Sequence, residues 1–394
     1  MMMENSNRIH INNLLINKKI SDLEMPTSDK IDLAQQFLNN PSYVSDLESF
    51  IDYNEKHKQY LYKNFTDEMM MYTFVHKPSH IQEEYNKKEE TKKEYIRDLL
   101  QFYGMLVSHE EFFKEDVVAF TEGSLLKNLD RRHVRRYQEW LKKEVPLRNG
   151  KIGYGIATMA RKIVVIKSFL KWLHEVEYIK IPLHTAFLNN EVRMKDRPDR
   201  DLSYEEVKAL IDYYRNHPFN WGLLTLLATT GLRIQEIAQS RWCDLYYDSG
   251  IREYFLRVQG KRDEIRHTLI KKLVFERLQT LRVRKRLSPH LDPTDETPLF
   301  TTNRGNAYDF RDLSKYVTNI IKQTHFDFIK YKKGNVTPHW FRHYFAQEAH
   351  RSGAPLLFIQ NTLGHKKVTT TEIYLKEIMK KENDAAQYID EKKY

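Results

Sequence analysis

Apolar residues recur at helical spacing along most of this chain, and one stretch, 252–270, alternates with the two-residue period of a strand. That contrast constrains the fold more than any other feature. It predicts a mostly α protein with a small β-sheet. In the alternating stretch Tyr254, Leu256 and Val258 interleave with Phe255 and Arg257, GKRDE at 260–264 supplies a turn, and IRHTLI returns, as in a β-hairpin. The strongest amphipathic helix lies at 163–173, where Ile163, Val164, Ile166, Phe169, Leu170, Trp172 and Leu173 form an apolar stripe. Leu33, Phe37 and Leu38, then Val44, Leu47, Phe50 and Ile51, carry a looser form of the same pattern.

Punctuation residues divide these segments. The polar stretch 192–206 contains Pro198 and reads as a linker. Ser203 followed by Glu206 is a capping-box pattern that opens a helix. Gly231 suits the left-handed position after a helix end and splits FNWGLLTLLATTGLRIQEIAQSRW into two helices, with Arg233 and Glu236 three apart on the second. In TPHWFRHYFAQEAHRSGAP, Thr337 takes the N-cap, Pro338 the first helical position, and Gly353 follows the end. Gly364 marks a further break before His365. The expected layout is an N-terminal region of unassigned role at 1–87, a helical region at 88–191, a linker at 192–202, and a third region at 203–394.

Charge points to the partner. Lys and Arg number 64 against 54 Asp and Glu, a formal net charge of +10. Each basic residue laid on a phosphate releases counterions, so such a chain favours a polyanion. Candidate contacts are Arg161, Lys162, Lys167 and Lys171, interleaved with the stripe at 163–173, and Arg282 and Arg284 in the basic run 271–287. Both groups read equally well as solvated helix faces. The opening MMMENSNRIHINN lacks the apolar core of a signal peptide, and no apolar run is long enough to span a bilayer, so double-stranded DNA is expected rather than a membrane. The single cysteine, Cys243, excludes a disulfide within the chain and fits a cytoplasmic location. His339 and His343 lie four apart, but no carboxylate or third ligand is suitably placed, so no metal is expected.

The order of the remaining residues is more specific than any of them alone. Arg233 with Glu236, then Lys261, His339-x-x-Arg342, Gly364-His365 and Tyr374 resembles the catalytic set of the tyrosine recombinase, or phage integrase, family, near its Xer-type members. The motifs are TTGLRIQEI, VQGK, TPHWFRH and LGHKKVTTTEIY; Phe341 stands where the family often has Leu. RKIVVIKSFLKWL resembles part of the family's helical core-binding domain, which makes 88–191 that domain and 203–394 the catalytic one.

The resemblance implies an enzyme that breaks and rejoins DNA through a 3′-phosphotyrosine link to Tyr374, with no cofactor and as a homo-tetramer on DNA. It implies that Arg233 and Arg342 clamp the non-bridging oxygens and that His365 adds a phosphate hydrogen bond. His339 would exchange a proton with Tyr374, whose free pKa of about 10 is too high for spontaneous ionisation. Lys261 would protonate the leaving 5′-oxygen, and Glu236 and His343 would support their neighbours. Competing readings are a type IB topoisomerase, which reseals the same strand, and a non-catalytic DNA-binding protein on the same fold.

Overall fold

The structure is a computed structural model describing residues 26–78, 80–82, 85–121, 123–147, 150–189, 200–260 and 265–365, with 368, 371, 372, 375, 386 and 389 singly beyond them. The chain divides into two compact units, Met1–Arg197 and Pro198–Tyr394.

The first unit is helical: α1 (Thr27–Asn39), α2 (Val44–Lys56), α3 (Asp67–His76), α4 (Glu89–Ser108), α5 (Glu110–Asp116), α6 (Arg131–Lys143) and α7 (Ile156–Glu175). Phe37 and Leu38 of α1, Met70 and Tyr72 of α3, Leu99 and Phe102 of α4, Tyr137 of α6 and Phe169 of α7 bury in one cluster. Residues on both sides of 87/88 therefore share a core.

Two buried polar links tie this unit together. The Asp67 carboxylate accepts from the Ser124 hydroxyl (2.6 Å), the amides of Leu125 (2.7 Å) and Leu126 (3.0 Å), and the Tyr178 hydroxyl (2.8 Å). The Lys162 ammonium, 4% exposed, donates to Asp98 at 2.7 Å. The buried face of α7 thus runs through Met159, Lys162, Ile163, Ile166, Phe169, Leu170 and Leu173. Val164, expected in the stripe, is 65% exposed. Lys162, expected to meet DNA, instead spends its charge inside the unit, because a buried carboxylate needs a partner more than solvent-facing phosphate does.

The second unit opens at α8 (Tyr204–Tyr213), where Ser203 and Glu206 form the reciprocal cap, at 3.2 and 2.9 Å. Next come α9 (Pro218–Thr230) and α10 (Ile234–Gln239), then β1 (Leu245–Asp248), β2 (Glu253–Gln259) and β3 (Ile265–Ile270). There follow α11 (Lys272–Arg284), α12 (Phe310–Gln323), α13 (Asp327–Tyr331), α14 (Pro338–Arg351) and α15 (Leu356–Leu363). α9 is apolar nearly all round and central: Leu223, Leu224, Leu226 and Leu227 are fully buried and share a cluster with Val274 and Leu278 of α11 and Trp340 and Phe341 of α14.

The hairpin forms as the alternation predicts, with Leu256 opposite Thr268 and Val258 opposite Arg266. β1 adds an antiparallel third strand that the sequence reading missed, four residues long. Along α11, Arg282 is 5% exposed; it bonds the Ser288 carbonyl, the Thr297 hydroxyl and the Asp295 carboxylate, and it lies over the Trp242 ring. The expectation that Arg282 faces phosphate is thereby corrected, whereas Arg284 two residues on is exposed. No helix among the described residues is long and apolar enough to cross a membrane.

Candidate active site

The site begins where α9 ends. Gly231 adopts φ +61° and its amide reaches back to the Leu227 carbonyl. A Cβ there would lie 2.5 Å from the Phe345 ring, so glycine satisfies both the turn and the close packing against α14. The chain leaves this turn extended, and Arg233 becomes the N-cap of α10 rather than a residue of its first turn. Its amide donates to Glu236 Oε2 (2.7 Å) and its guanidinium to Oε1 (2.9 Å). Glu236 is 6% exposed, while the Arg233 side chain is 41% exposed, so the carboxylate fixes an arginine whose head still faces outward.

α14 brings the second arginine. Pro338 occupies its first turn as expected, and Thr337 takes the cap position without a side-chain cap bond. Arg342, 2% exposed, donates to the Gly231 carbonyl (2.7 Å) and the Leu363 carbonyl (2.5 Å), and Nη2 lies 3.0 Å from His365 Nε2. Arg233 reaches the next carbonyl, that of Gly364, at 3.5 Å. Two guanidinium groups thus converge on consecutive peptide oxygens at the end of α15, where Gly364 turns the chain at φ +62°. Carbonyl partners orient a guanidinium fork without neutralising it.

His365 sits directly after that turn. Its Nδ1 lies 2.9 Å from the buried Thr371 hydroxyl and its carbonyl accepts from Gln360 (2.9 Å). With Nε2 accepting from Arg342, Nδ1 carries the proton and donates to Thr371. Burial, and then the charges of Arg342, Arg233 and Arg266, hold the His365 imidazole down at about 4. Burial, followed by Arg200, Arg342 and Arg233, does the same for His339, also about 4. His343, its ring 4.9 Å from that of His339, is pushed to about 3 by burial and by His339. At neutral pH all three are uncharged, so the arginines supply the positive charge and the imidazoles can take up protons when an anion enters.

The structure therefore gathers Arg233, Glu236, His339, Arg342, His343 and His365 in the second unit. Lys261 and Tyr374 lie outside the described residues, although Thr371 and Leu375, which flank Tyr374 in sequence, are both fully buried. Sequence reasoning missed Arg266, whose guanidinium donates to Glu236 Oε2 at 2.7 Å, and Thr371. Only the hairpin register could have found Arg266, by placing it opposite buried Val258 on the inward face. Arg161, Lys167 and Lys171 are exposed on α7; Arg161 pairs with Glu94 (3.3 Å) and Lys171 with Glu175 (3.4 Å). Among the described residues no group of His, Cys, Asp and Glu is arranged to hold a metal ion.

Residues 200–381 match the model of the phage integrase family. The tyrosine recombinase XerC of Thermodesulfovibrio yellowstonii is 30% identical over 233 residues, spanning 56% of this chain and 72% of the relative. Among solved structures, the XerH site-specific recombinase bound to a palindromic difH substrate superposes with TM-score 0.57 at 18% identity, covering 91% of this chain and 97% of that one. A lambda integrase dimer bound to a COC′ core site gives TM-score 0.52 at 13% identity, covering 73% of this chain and 72% of that one. The family match covers all the residues just described, from Arg233 to His365, and the chain belongs to the phage integrase family, the tyrosine recombinases.

Proposed function

We propose that the protein is a site-specific recombinase that cuts double-stranded DNA, holds the strand as a 3′-phosphotyrosine at Tyr374, and passes it to a second duplex. The observation that carries this reading is the convergence of Arg233 and Arg342 on the consecutive carbonyls of Leu363 and Gly364, beside His365. Such a fork pair matches a phosphodiester whose non-bridging oxygens gain charge in the transition state. One preorganised donor of this kind is worth about 2–4 kcal/mol of barrier.

Tyr374 attacks phosphorus, and the bond from phosphorus to the 5′-oxygen breaks. His339, uncharged, accepts the phenolic proton. Lys261 returns a proton to the leaving 5′-oxygen. His365 donates to a non-bridging oxygen once the phosphate charge raises its proton affinity. The phosphotyrosine preserves the bond energy, so attack by a 5′-hydroxyl needs no nucleotide cofactor. Glu236 holds Arg233, and His343 packs behind His339. We place the reaction in the cytoplasm, on a homo-tetramer that pairs two sites. Arg161, Lys167, Lys171 and Arg284 are the proposed phosphate contacts outside the centre.

The test uses duplexes recovered from a randomised pool by denaturant-resistant attachment to the protein. Two such duplexes with different end labels should yield recombinant products. Relaxation of a supercoiled plasmid without exchanged ends would instead mark a topoisomerase, and binding without either product a non-catalytic protein.

A further inference from the structure

One carboxylate in the site serves two arginines. Glu236 accepts the Arg233 amide at Oε2 (2.7 Å) and Arg233 Nη1 at Oε1 (2.9 Å), and Oε2 also accepts Nη2 of Arg266 at 2.7 Å. Arg266 reaches it from β3, where it lies opposite buried Val258. Its other terminal nitrogen, Nη1, packs against Gly364, where a Cβ would stand only 2.5 Å away, and its Nε is buried. The Arg266 side chain is 18% exposed, against 41% for Arg233. The Arg266 guanidinium is therefore turned inward, on the carboxylate and the glycine, while that of Arg233 faces out.

This sharing decides how Arg233 can bind. An unshared carboxylate pairs with a guanidinium through both oxygens, in two parallel bonds. Here Oε2 is taken by Arg266 and by the amide, and the Arg233 side chain holds Glu236 through Nη1. Its Nη2 lies 3.5 Å from the Gly364 carbonyl, a long contact that a phosphate oxygen can displace. We propose that Arg266 is a positioning residue for phosphate capture: by occupying Oε2 of Glu236, it keeps the carboxylate from closing on both nitrogens of Arg233 and leaves Nη2 for a non-bridging oxygen of the strand. This rests on the function proposed above. One negative charge set between two guanidinium groups also leaves a positive charge uncancelled, which favours the same oxygen.

The experiment measures the single-turnover rate of covalent attachment to a recovered duplex. Arg266→Ala is expected to slow it about 100-fold, the cost of losing one preorganised donor. Adding Glu236→Gln to that variant removes the paired carboxylate oxygens and should recover part of the rate. Combined with Arg233→Ala, Arg266→Ala should add no further loss, because the two act as one unit. A residue that merely held the fold would instead compound the loss in both double variants. Arg266→Lys still donates to Oε2 and should be slowed less than Arg266→Ala. Arg266→Met keeps the packing of the stem and serves where the alanine variant fails to fold. No slowing in Arg266→Ala, no recovery on adding Glu236→Gln, or additive losses with Arg233→Ala would overturn the proposal. Absence of any attachment by the wild-type protein would instead remove the reading of function itself, and this inference with it.

Discussion

At the scale of single residues, burial separates the arginines left to face a phosphate from those that hold the fold. Arg282 is spent on Asp295 and two oxygens inside the second unit. Arg282→Ala should therefore cost about 3 kcal/mol of stability and leave the salt dependence of DNA binding unchanged. Exposed Arg284→Ala should do the reverse, reducing the log–log salt slope by about 0.9. Denaturant melts and salt titrations of both variants check this, and a reduced slope in Arg282→Ala would contradict it. The histidines make a second residue-level prediction. His339 and His365 are held near 4 and His343 near 3, all below the usual 6.5, so the unfolded chain takes up protons that the folded one refuses. Their contribution is fully present above pH 6.5 and is lost as pH falls from there towards 4. The denaturation midpoint of the second unit should fall from pH 7 to pH 5. The fall should be gentler in His343→Gln, because each tenfold difference in proton affinity between folded and unfolded chain is worth about 1.4 kcal/mol. An unchanged midpoint would show that these rings are not buried uncharged.

At the scale of elements, what the sequence made legible was local. The Ser203–Glu206 cap, the left-handed Gly231 and the hairpin alternation all act within a few residues, and all are present. β1 was not legible because four residues, Leu-Tyr-Tyr-Asp, carry too short a period to read. On α7 the stripe read from the sequence is buried at Ile163, Ile166, Phe169, Leu170 and Leu173, but Val164 is exposed and Lys162 buried, since periodicity does not reveal that Asp98, 64 positions away, draws Lys162 inward. The partner of Arg266 was hidden for the same reason, since Glu236 lies thirty positions back on another element, and only the hairpin register placed Arg266 on the inward face. The chemistry-bearing residues were easier, because their order in sequence resembles a known set, yet that order did not show that Arg233 caps α10 or that main-chain carbonyls hold Arg342. In the first unit, Asp67 accepts three hydrogen bonds from the turn that opens at Ser124–Leu126 and a fourth from the Tyr178 hydroxyl, although burial pushes its carboxyl up. Asp67→Ala strands those donors and should destabilise this unit by about 3 kcal/mol or more, measured by chemical denaturation. A loss below about 1 kcal/mol would mean that water replaces the carboxylate without penalty.

At the scale of the whole molecule, two units with separate cores predict two fragments that fold. Residues 1–197 and 198–394 should each unfold cooperatively when expressed alone. A fragment beginning at 88 discards Phe37, Leu38, Met70 and Tyr72 from the first core and should lose that unit's cooperative transition in a calorimetric scan. A sharp transition retained in 88–197 would show that the N-terminal helices are an addition rather than part of the core. DNA affinity of the full chain should exceed that of 198–394 alone and fall steeply with salt, as a basic chain with exposed charge on α7 and α11 requires. The proposed attack of Tyr374 on DNA is tested most directly by trapping DNA on the protein. Nicked duplexes lose the short fragment that would otherwise reseal, so cleavage leaves protein and DNA joined through denaturation. The full chain should give this adduct with the DNA attached at its 3′-phosphate to a peptide containing Tyr374, and Tyr374→Phe should bind DNA equally well and give none. An adduct of undiminished yield in Tyr374→Phe, or one mapped to Tyr388 or Tyr394, would contradict the account.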